Sequence, residues 1–130
     1  MSLEALLTFG GFFHIAYMVF HLLFWKLFRW KEQLAKLHPI NQGAMQAMNI
    51  VLIAIFMLFA LVSLFFQDEL LNSKLGHFLI TSIAIIWLIR TCIQIPLFTL
   101  KATASKVFFI TTLTGAGIYS YIALLLNIKA

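Results

Sequence analysis

The feature that most restricts the fold of this chain is a set of long apolar stretches that together occupy most of its 130 residues. A helix needs about 20 mainly apolar residues to cross the hydrocarbon core of a bilayer. Only helices and closed barrels cross lipid, because every backbone polar group there must be satisfied within the protein. The stretches predict four spans, at about residues 5–28, 45–66, 75–96 and 107–127.

These stretches lack the alternation of apolar and polar residues that is typical of barrel strands. The run from Ile50 to Phe59, for example, is apolar at every position. The short connections favour side-by-side packing of consecutive helices. We therefore predict an all-α fold, an integral membrane four-helix bundle with antiparallel up-down topology, in a single domain covering residues 1–130.

The composition agrees with lipid as the main solvent. Hydrophobic residues make up 63% of the chain and charged residues 10%, whereas a soluble domain carries about 25% charged residues. The N-terminus lacks the basic region of a cleaved signal peptide, so we expect the first span to be retained. The net charge of +5 does not indicate nucleic acid, because the basic residues flank apolar stretches. One cysteine, Cys92, excludes an intrachain disulfide.

The basic residues also predict the orientation of the bundle. The first and third connections carry six of them, while the other side carries two, Lys74 and Lys129. The positive-inside rule places the side with six in the cytoplasm, so both termini are non-cytoplasmic in a multi-pass inner-membrane protein. The six residues are Lys26, Arg29, Lys31, Lys36, Lys101 and Lys106.

Smaller features predict where helices end and how they sit. Asn41 and Ser73 are candidate N-caps for spans two and three, and the small residues of 111–117 predict close helix packing. The stretch 27–37 carries an apolar stripe at helical spacing and is expected to prolong helix one as a solvated end, or alternatively to contact anionic lipid or a partner. The aromatic residues predicted as interfacial anchors are Trp25, Trp30, Tyr119 and Tyr121.

Polar residues from all four spans fall at one predicted depth. Counting inward at 1.5 Å per residue places this layer roughly 8–10 Å below the cytoplasmic interface. Polar groups inside a span are costly and therefore mark candidate functional sites. The predicted ligand-binding residues are Arg90, His21, Asn49, Thr111 and Thr112, with Gln46 and Gln94 nearer the cytoplasm on the same helix faces.

Arg90 is the most informative member of this layer, because no Asp or Glu lies in any predicted span. Its guanidinium is permanently charged and fits carboxylate or phosphate in a two-pronged arrangement. One interpretation is that Arg90 binds a lipid headgroup, a haem propionate or a substrate acid. In the other, it reaches the interface or is satisfied by Asn49, Gln94 and backbone carbonyls.

Two histidines give a second signal. His14 and His21 are seven residues apart and share one face of helix one. Neutral imidazole can ligate haem iron, so both are candidate cofactor ligands, with haem b as the cofactor. A difference in height between His14 and His77 argues against haem ligation by that pair. The alternative is that the histidines form hydrogen bonds to other helices.

Several short motifs resemble a group of small bacterial four-span membrane proteins. They are Phe13-His14, then Trp30-Lys31 with Leu34, Leu37, Pro39 and Asn41, and finally Trp87-Leu88-Ile89-Arg90 followed by Gln94. The resemblance implies the same four-span fold and draws attention to His14, Asn41, Arg90 and Gln94. It implies no activity.

The sequence has no phosphate-binding loop, nucleophile elbow, cysteine pair or metalloprotease motif. We therefore expect a non-catalytic accessory or assembly subunit, or a homo-oligomeric bundle, that binds a lipid-like or anionic ligand at the polar layer. Its expected partners are membrane lipids and either another membrane protein or further copies, with no nucleic acid. The alternatives are a redox protein that binds haem b or quinone and a small oligomeric transporter or channel.

Overall fold

The computed structural model describes residues 2–129, and within that range the chain is almost entirely helical and contains no strand. Four helices are long and apolar enough to cross a membrane, which confirms the predicted all-α class and the number of spans. They are α1 (Leu3–Leu22), α4 (Pro39–Phe65), α6 (Lys74–Cys92) and α8 (Thr103–Lys129). Short helices connect them: α2 (Phe24–Leu27), α3 (Trp30–Gln33), α5 (Gln67–Asn72) and α7 (Gln94–Phe98), with a 3-10 turn over Leu34–Lys36.

The long helices pack as two pairs. Helix α1 lies along α4, α6 lies along α8, and the pairs meet where α1 touches α8. Helix α5 closes one end by contacting α6 and α1. Helices α4 and α6 are not among the closely packed pairs, so a gap separates their backbones, and it is bridged by the Phe56 and Trp87 rings with centroids 5.8 Å apart. Its core includes Leu7, Ile80, Ile83, Trp87 and Ile122.

Helix α4 starts earlier than the sequence predicts. Asn41 is not its N-cap, because the helix begins at Pro39 and the Nδ1 atom of His38 accepts the hydrogen bond of the Ile40 N–H at 3.4 Å. Proline suits the first helical position, since its ring fixes φ and its missing N–H needs no partner there. The N-cap is His38, so the prediction for Asn41 is wrong by three residues.

The ends of α6 follow the sequence signals. The Ser73 hydroxyl accepts a hydrogen bond from the Gly76 N–H at 2.9 Å, which confirms Ser73 as the N-cap. The helix ends at Cys92, four residues before Pro96. Proline has no N–H to bond the carbonyl four residues earlier, so a regular helix is interrupted at this point. The chain resumes as α7.

The stretch after α1 differs most from the prediction. Helix α1 ends at Leu22, and after Leu23 the short helix α2 continues to Leu27, but the residues beyond do not prolong it as predicted. Arg29 adopts a left-handed conformation with φ of 50°, which reverses the chain. Trp30 and Leu34 are then buried, with 7% and 2% of their surface exposed.

Burial explains this reversal. Removing a large apolar side chain from water stabilises the fold by about 1.5–3 kcal/mol, and two such side chains are buried here. One left-handed residue costs about 1–2 kcal/mol. The turn is therefore favourable, whereas the expected solvated helix would have left the whole apolar stripe exposed. Leu27 and Leu37, the other members of that stripe, do remain exposed.

Two of the predicted interfacial anchors are instead core residues. Tyr119 has no exposed surface and Trp30 is buried, while Trp25 and Tyr121 are about half exposed. The sequence places an aromatic residue near a helix end but does not say which way its ring points.

The small residues of α8 allow close packing against α1 and α6. A Cβ atom added at Gly115 would lie 2.7 Å from the Phe13 ring and 2.8 Å from the Trp87 ring. At Gly117, two residues further along, an added Cβ would meet nothing within 4 Å. The packing at Gly115 agrees with the prediction for this stretch.

We predict that Gly115→Ala lowers stability and that Gly117→Ala does not. The new methyl at position 115 must displace two aromatic rings, an overpacking that costs about 1–3 kcal/mol. At position 117 alanine only adds helix propensity. Melting temperatures of the purified variants in mild detergent measure the difference. Equal melting temperatures for the two variants would contradict the packing at Gly115.

Candidate functional site

An open cavity of about 740 Å³ lies between the helices, next to the residues that follow α1. Side chains from α1, α4, α6 and α8 line it, together with residues of the 24–37 stretch and Phe98 of α7. Ten of the lining residues are Phe, Tyr or Trp. Besides the tryptophans, the polar lining residues are Tyr17, His21, Gln33, Arg90 and Thr112. The cavity is thus an apolar space with a few polar groups, as in many sites for small ligands.

Helical spacing explains why these side chains meet. Residues three and four positions apart lie on one helix face, and each long helix turns such a face to the cavity. The faces carry Tyr17, Phe20, His21 on α1; Leu52, Ile55, Phe56, Phe59 on α4; Ile86, Trp87, Arg90 on α6; and Phe108, Thr112 on α8.

The stretch 24–37 forms a wall that the sequence analysis missed. Phe24, Phe28, Trp30 and Leu34 all line the cavity, and the Phe24 and Trp30 rings meet with centroids 5.4 Å apart. The sequence signal for this wall was present in the apolar stripe. The stripe predicts a straight helix, because nothing in the sequence indicates that Arg29 adopts a left-handed conformation.

Arg90 is partly buried and lines the cavity. Its Nη1 atom donates to the Gln94 Oε1 atom at 2.7 Å, and its guanidinium carbon lies 5.5 Å from the centroid of the Phe98 ring. No Asp or Glu carboxylate in residues 2–129 forms a salt bridge with it. Because a guanidinium has five N–H donors, most of them have no acceptor from the described chain.

Gln94 positions Arg90. Its side chain is fully buried, and its Nε2 atom donates to the Ser105 hydroxyl at 2.9 Å. The Ser105 hydroxyl in turn donates to the carbonyl of Thr99. This arrangement fixes the orientation of the amide, so its oxygen faces the guanidinium. Gln94 does not itself line the cavity.

Asn49 fixes the tautomer of His21. The Asn49 Nδ2 atom donates to the His21 carbonyl at 3.2 Å, so its Oδ1 atom faces the His21 Nδ1 atom at 2.8 Å. A carbonyl oxygen can only accept, so Nδ1 carries the proton and the neutral ring keeps a lone pair on Nε2. That Nε2 atom has no partner in the part of the chain that the structure describes, and it is not enclosed.

Three of the predicted ligand-binding residues line the cavity: His21, Arg90 and Thr112. Asn49 and Gln94 support two of them from outside. The remaining two lie elsewhere. The Thr111 hydroxyl accepts from Tyr17 Oη at 2.7 Å and donates to a backbone carbonyl, and Gln46 Nε2 donates to the Gln42 carbonyl at 3.2 Å. Five of the seven were predicted at one depth and Gln46 and Gln94 nearer the cytoplasm, but only three of the seven side chains line the cavity.

His14 does not line the cavity and belongs to a buried chain of hydrogen bonds. The Trp87 indole donates to its Nε2 atom at 3.0 Å, so Nδ1 must carry the proton. The Nδ1 atom lies 3.1 Å from the Tyr119 hydroxyl, which lies 2.7 Å from the Ser63 hydroxyl. Both ring nitrogens therefore face partners, as in the alternative of hydrogen-bonded histidines.

The hydrogen bonds of the histidines determine which of them could ligate haem iron. Iron ligation needs a free ring nitrogen, which His21 offers at Nε2 and His14 does not without losing the Trp87 bond. His77 is remote from both, with its Nε2 atom 2.8 Å from the Leu71 carbonyl. Among residues 2–129, no group of three or more His, Cys, Asp or Glu side chains is placed to hold a metal ion.

Comparisons with known proteins found no matching family model, no matching curated protein and no matching solved structure. What the cavity can bind therefore follows from its own side chains.

We predict that Tyr119→Phe destabilises the protein, whereas Tyr121→Phe has little effect. The first change removes the hydroxyl between His14 and Ser63 and leaves buried polar groups without a partner, which costs about 0.5–2 kcal/mol in a membrane protein. Tyr121 is exposed, and such surface changes usually stay within about 0.5 kcal/mol. Melting temperatures in detergent are the measurement. A Tyr119→Phe protein as stable as the wild type would show that the chain of hydrogen bonds contributes nothing.

Proposed function

We propose that this chain is a non-catalytic membrane protein that binds an anionic, lipid-like ligand in the cavity beside Arg90. The observation that supports this proposal is the state of the guanidinium. It faces an apolar space with one hydrogen bond to a neutral amide and no carboxylate partner from the described residues. A charge withdrawn from water is costly unless it is paired.

An anionic ligand would supply the missing pairing. Two unit charges about 4 Å apart attract by about 4 kcal/mol at an effective dielectric constant of 20. The unused N–H groups of a guanidinium also match two oxygens of a carboxylate or phosphate group. The aromatic and aliphatic lining would hold the apolar part of the same ligand by burial.

Binding fits the lining better than catalysis. Among the described residues, the cavity lining includes no Asp, Glu or Cys, the groups that most often act as acids, bases or nucleophiles beside histidine. The helices also expose many large apolar side chains. We therefore propose that the bundle acts as an accessory or assembly subunit, or as a homo-oligomer.

A bound quinone is the second candidate, favoured by two features of the cavity. Its aromatic side chains suit stacking on a planar ring. The Arg90 donors and the His21 Nε2 lone pair suit a carbonyl oxygen and a hydroxyl respectively. Extraction of the purified protein followed by mass spectrometry distinguishes a quinone from an acid, and its visible spectrum reveals haem.

For the membrane topology, we propose antiparallel helices, both termini on the non-cytoplasmic side and insertion in the inner membrane. The six basic residues on one side support this orientation. The cavity would then lie in the cytoplasmic half, since its wall 24–37 carries four of these six residues.

We predict that native mass spectrometry after gentle extraction finds an acidic, lipid-like adduct on the wild type. Arg90→Gln should lower the occupancy of this adduct by at least about tenfold, because the charge partner is lost. Lys106→Gln is the matched control, since it removes one exposed charge that does not line the cavity. A bare monomer with neither ligand nor partner would contradict the proposed function.

We predict that reporter fusions give opposite signals at two positions. A fusion at the C-terminus should be active with alkaline phosphatase and dark with green fluorescent protein, because that end faces the oxidising side. A fusion after Lys101, in the connection that precedes α8, should give the reverse. The same signal at both positions would rule out the proposed topology.

A further inference from the structure

Resting on the proposed function, we infer that the ligand is a long-chain carboxylic acid with one acyl chain, which enters from the bilayer between α4 and α6. Four observations support this: the charge balance of the cavity, the free hydrogen-bond donors of the long helices, the size and lining of the cavity, and the gap between the backbones of α4 and α6.

The charge balance favours a singly charged headgroup. Among the described residues that line the cavity, Arg90 is the only Lys or Arg. His21 adds no charge as the tautomer that donates from Nδ1 to Asn49 and has no proton on Nε2. A carboxylate carries one negative charge and is neutralised by one guanidinium. A phosphate monoester carries about 1.5 to 2 negative charges at pH 7, so part of its charge would stay unpaired in an apolar space.

The donors that the long helices contribute to the cavity favour two ligand oxygens rather than three or four. Tyr17 donates its hydroxyl hydrogen to Thr111, and Thr112 donates to the Phe109 carbonyl. The N–H groups of Trp87 and His21 are engaged by His14 and Asn49.

Among the side chains of the long helices, the free donors of the cavity therefore belong to Arg90. The wall 24–37 adds the Gln33 amide and the Trp30 indole. The fork of Arg90 matches the two oxygens of a carboxylate. The further oxygens of a phosphate would meet the His21 Nε2 atom, which is an acceptor.

The size and lining of the cavity favour a single chain. Its volume of about 740 Å³ lies within the range of about 300–1,000 Å³ typical of sites for one small ligand. Phe56 and Phe59 of α4 add apolar surface to the cavity, and the Phe56 ring also lies beside the His21 ring, with centroids 5.1 Å apart. An acyl chain can lie against these side chains while the headgroup stays at Arg90.

The gap between α4 and α6 gives the ligand a route from lipid. The backbones of these helices are not closely packed, although both contribute lining residues, and their side chains meet at Phe56 and Trp87, whose ring centroids are 5.8 Å apart. Leu52 of α4 and Ile86 of α6 line the cavity and are still 37% and 47% exposed. An acyl chain entering here would pass from bilayer to cavity without crossing water.

The test is photocrosslinking with a long-chain fatty acid that carries a diazirine in its chain. The full-length protein is placed in phosphatidylcholine nanodiscs, irradiated, digested and mapped by mass spectrometry. We expect the label on the α4 and α6 peptides that contain Leu52 and Ile86. Excess oleate should compete, whereas oleyl alcohol should not. Oleoyl lysophosphatidate, a phosphate monoester with the same chain, should compete at least about tenfold less well than oleate.

Two variants locate the binding in the cavity. Arg90→Gln should lower labelling at least about tenfold. Leu52→Trp keeps Arg90 and places a larger side chain in the cavity, so it should also reduce labelling. The matched control is Leu58→Trp, because Leu58 is an exposed residue on α4 outside the cavity. If Arg90→Gln fails to fold, the two tryptophan variants decide.

Label spread evenly over the apolar surface, with no effect of Leu52→Trp, would overturn the inference. Lysophosphatidate competing as well as oleate would overturn the choice of a carboxylate. Neither result would contradict the proposed function, which is tested separately by the loss of the native adduct in Arg90→Gln.

Discussion

The hydrogen bond between Arg90 and Gln94 places a permanent charge beside an apolar cavity, and the residues around this pair fix its position. Pro96 lacks the N–H that would continue α6, so the helix ends at Cys92 and the chain resumes with Gln94 as the first residue of α7. There the Gln94 amide meets Ser105 of α8 and is fixed in orientation. A break in one helix thus turns a neutral side chain towards the guanidinium without neutralising it, and the charge remains available to a ligand.

The two histidines of α1 show how similar residues acquire different roles. His14 is enclosed and uses both ring nitrogens, so it joins α1 to Trp87 of α6 and Tyr119 of α8. His21, seven residues further, is held at one nitrogen by Asn49 of α4 and keeps the other free. The first histidine holds the helices that form the cavity, and the second contributes a polar atom to its surface. Neighbouring partners decide this difference, because both side chains lie on the same face of α1.

The length of the apolar stretches was enough to predict four long helices, because any helix that crosses a bilayer must be about 20 apolar residues long. Counting residues inward from the cytoplasmic boundary predicted the polar layer, which includes Arg90 and His21. It could not separate Thr112, which lines the cavity, from Thr111, which bonds Tyr17, since depth does not give direction around the bundle axis. The stretch 27–37 was predicted as a straight helix end. Only the tertiary burial of Trp30 compensates for the left-handed turn before it, and the sequence does not show that burial. That burial depends on the other helices.

This wall links the proposed orientation to the proposed site. Its apolar side chains, Trp30 and Leu34 among them, close the cavity, while Lys31 and Lys36 are exposed. If these lysines lie in the cytoplasm, as the positive-inside rule predicts, they anchor the wall there. Its apolar side chains then lie at the end of the cavity that receives the headgroup. The side between α4 and α6 is less closely packed, because these two helices meet through the Phe56 and Trp87 rings while their backbones stay apart. A ligand with a charged end and an apolar tail fits this asymmetry, since its headgroup reaches Arg90 beside the wall while its tail extends towards the gap.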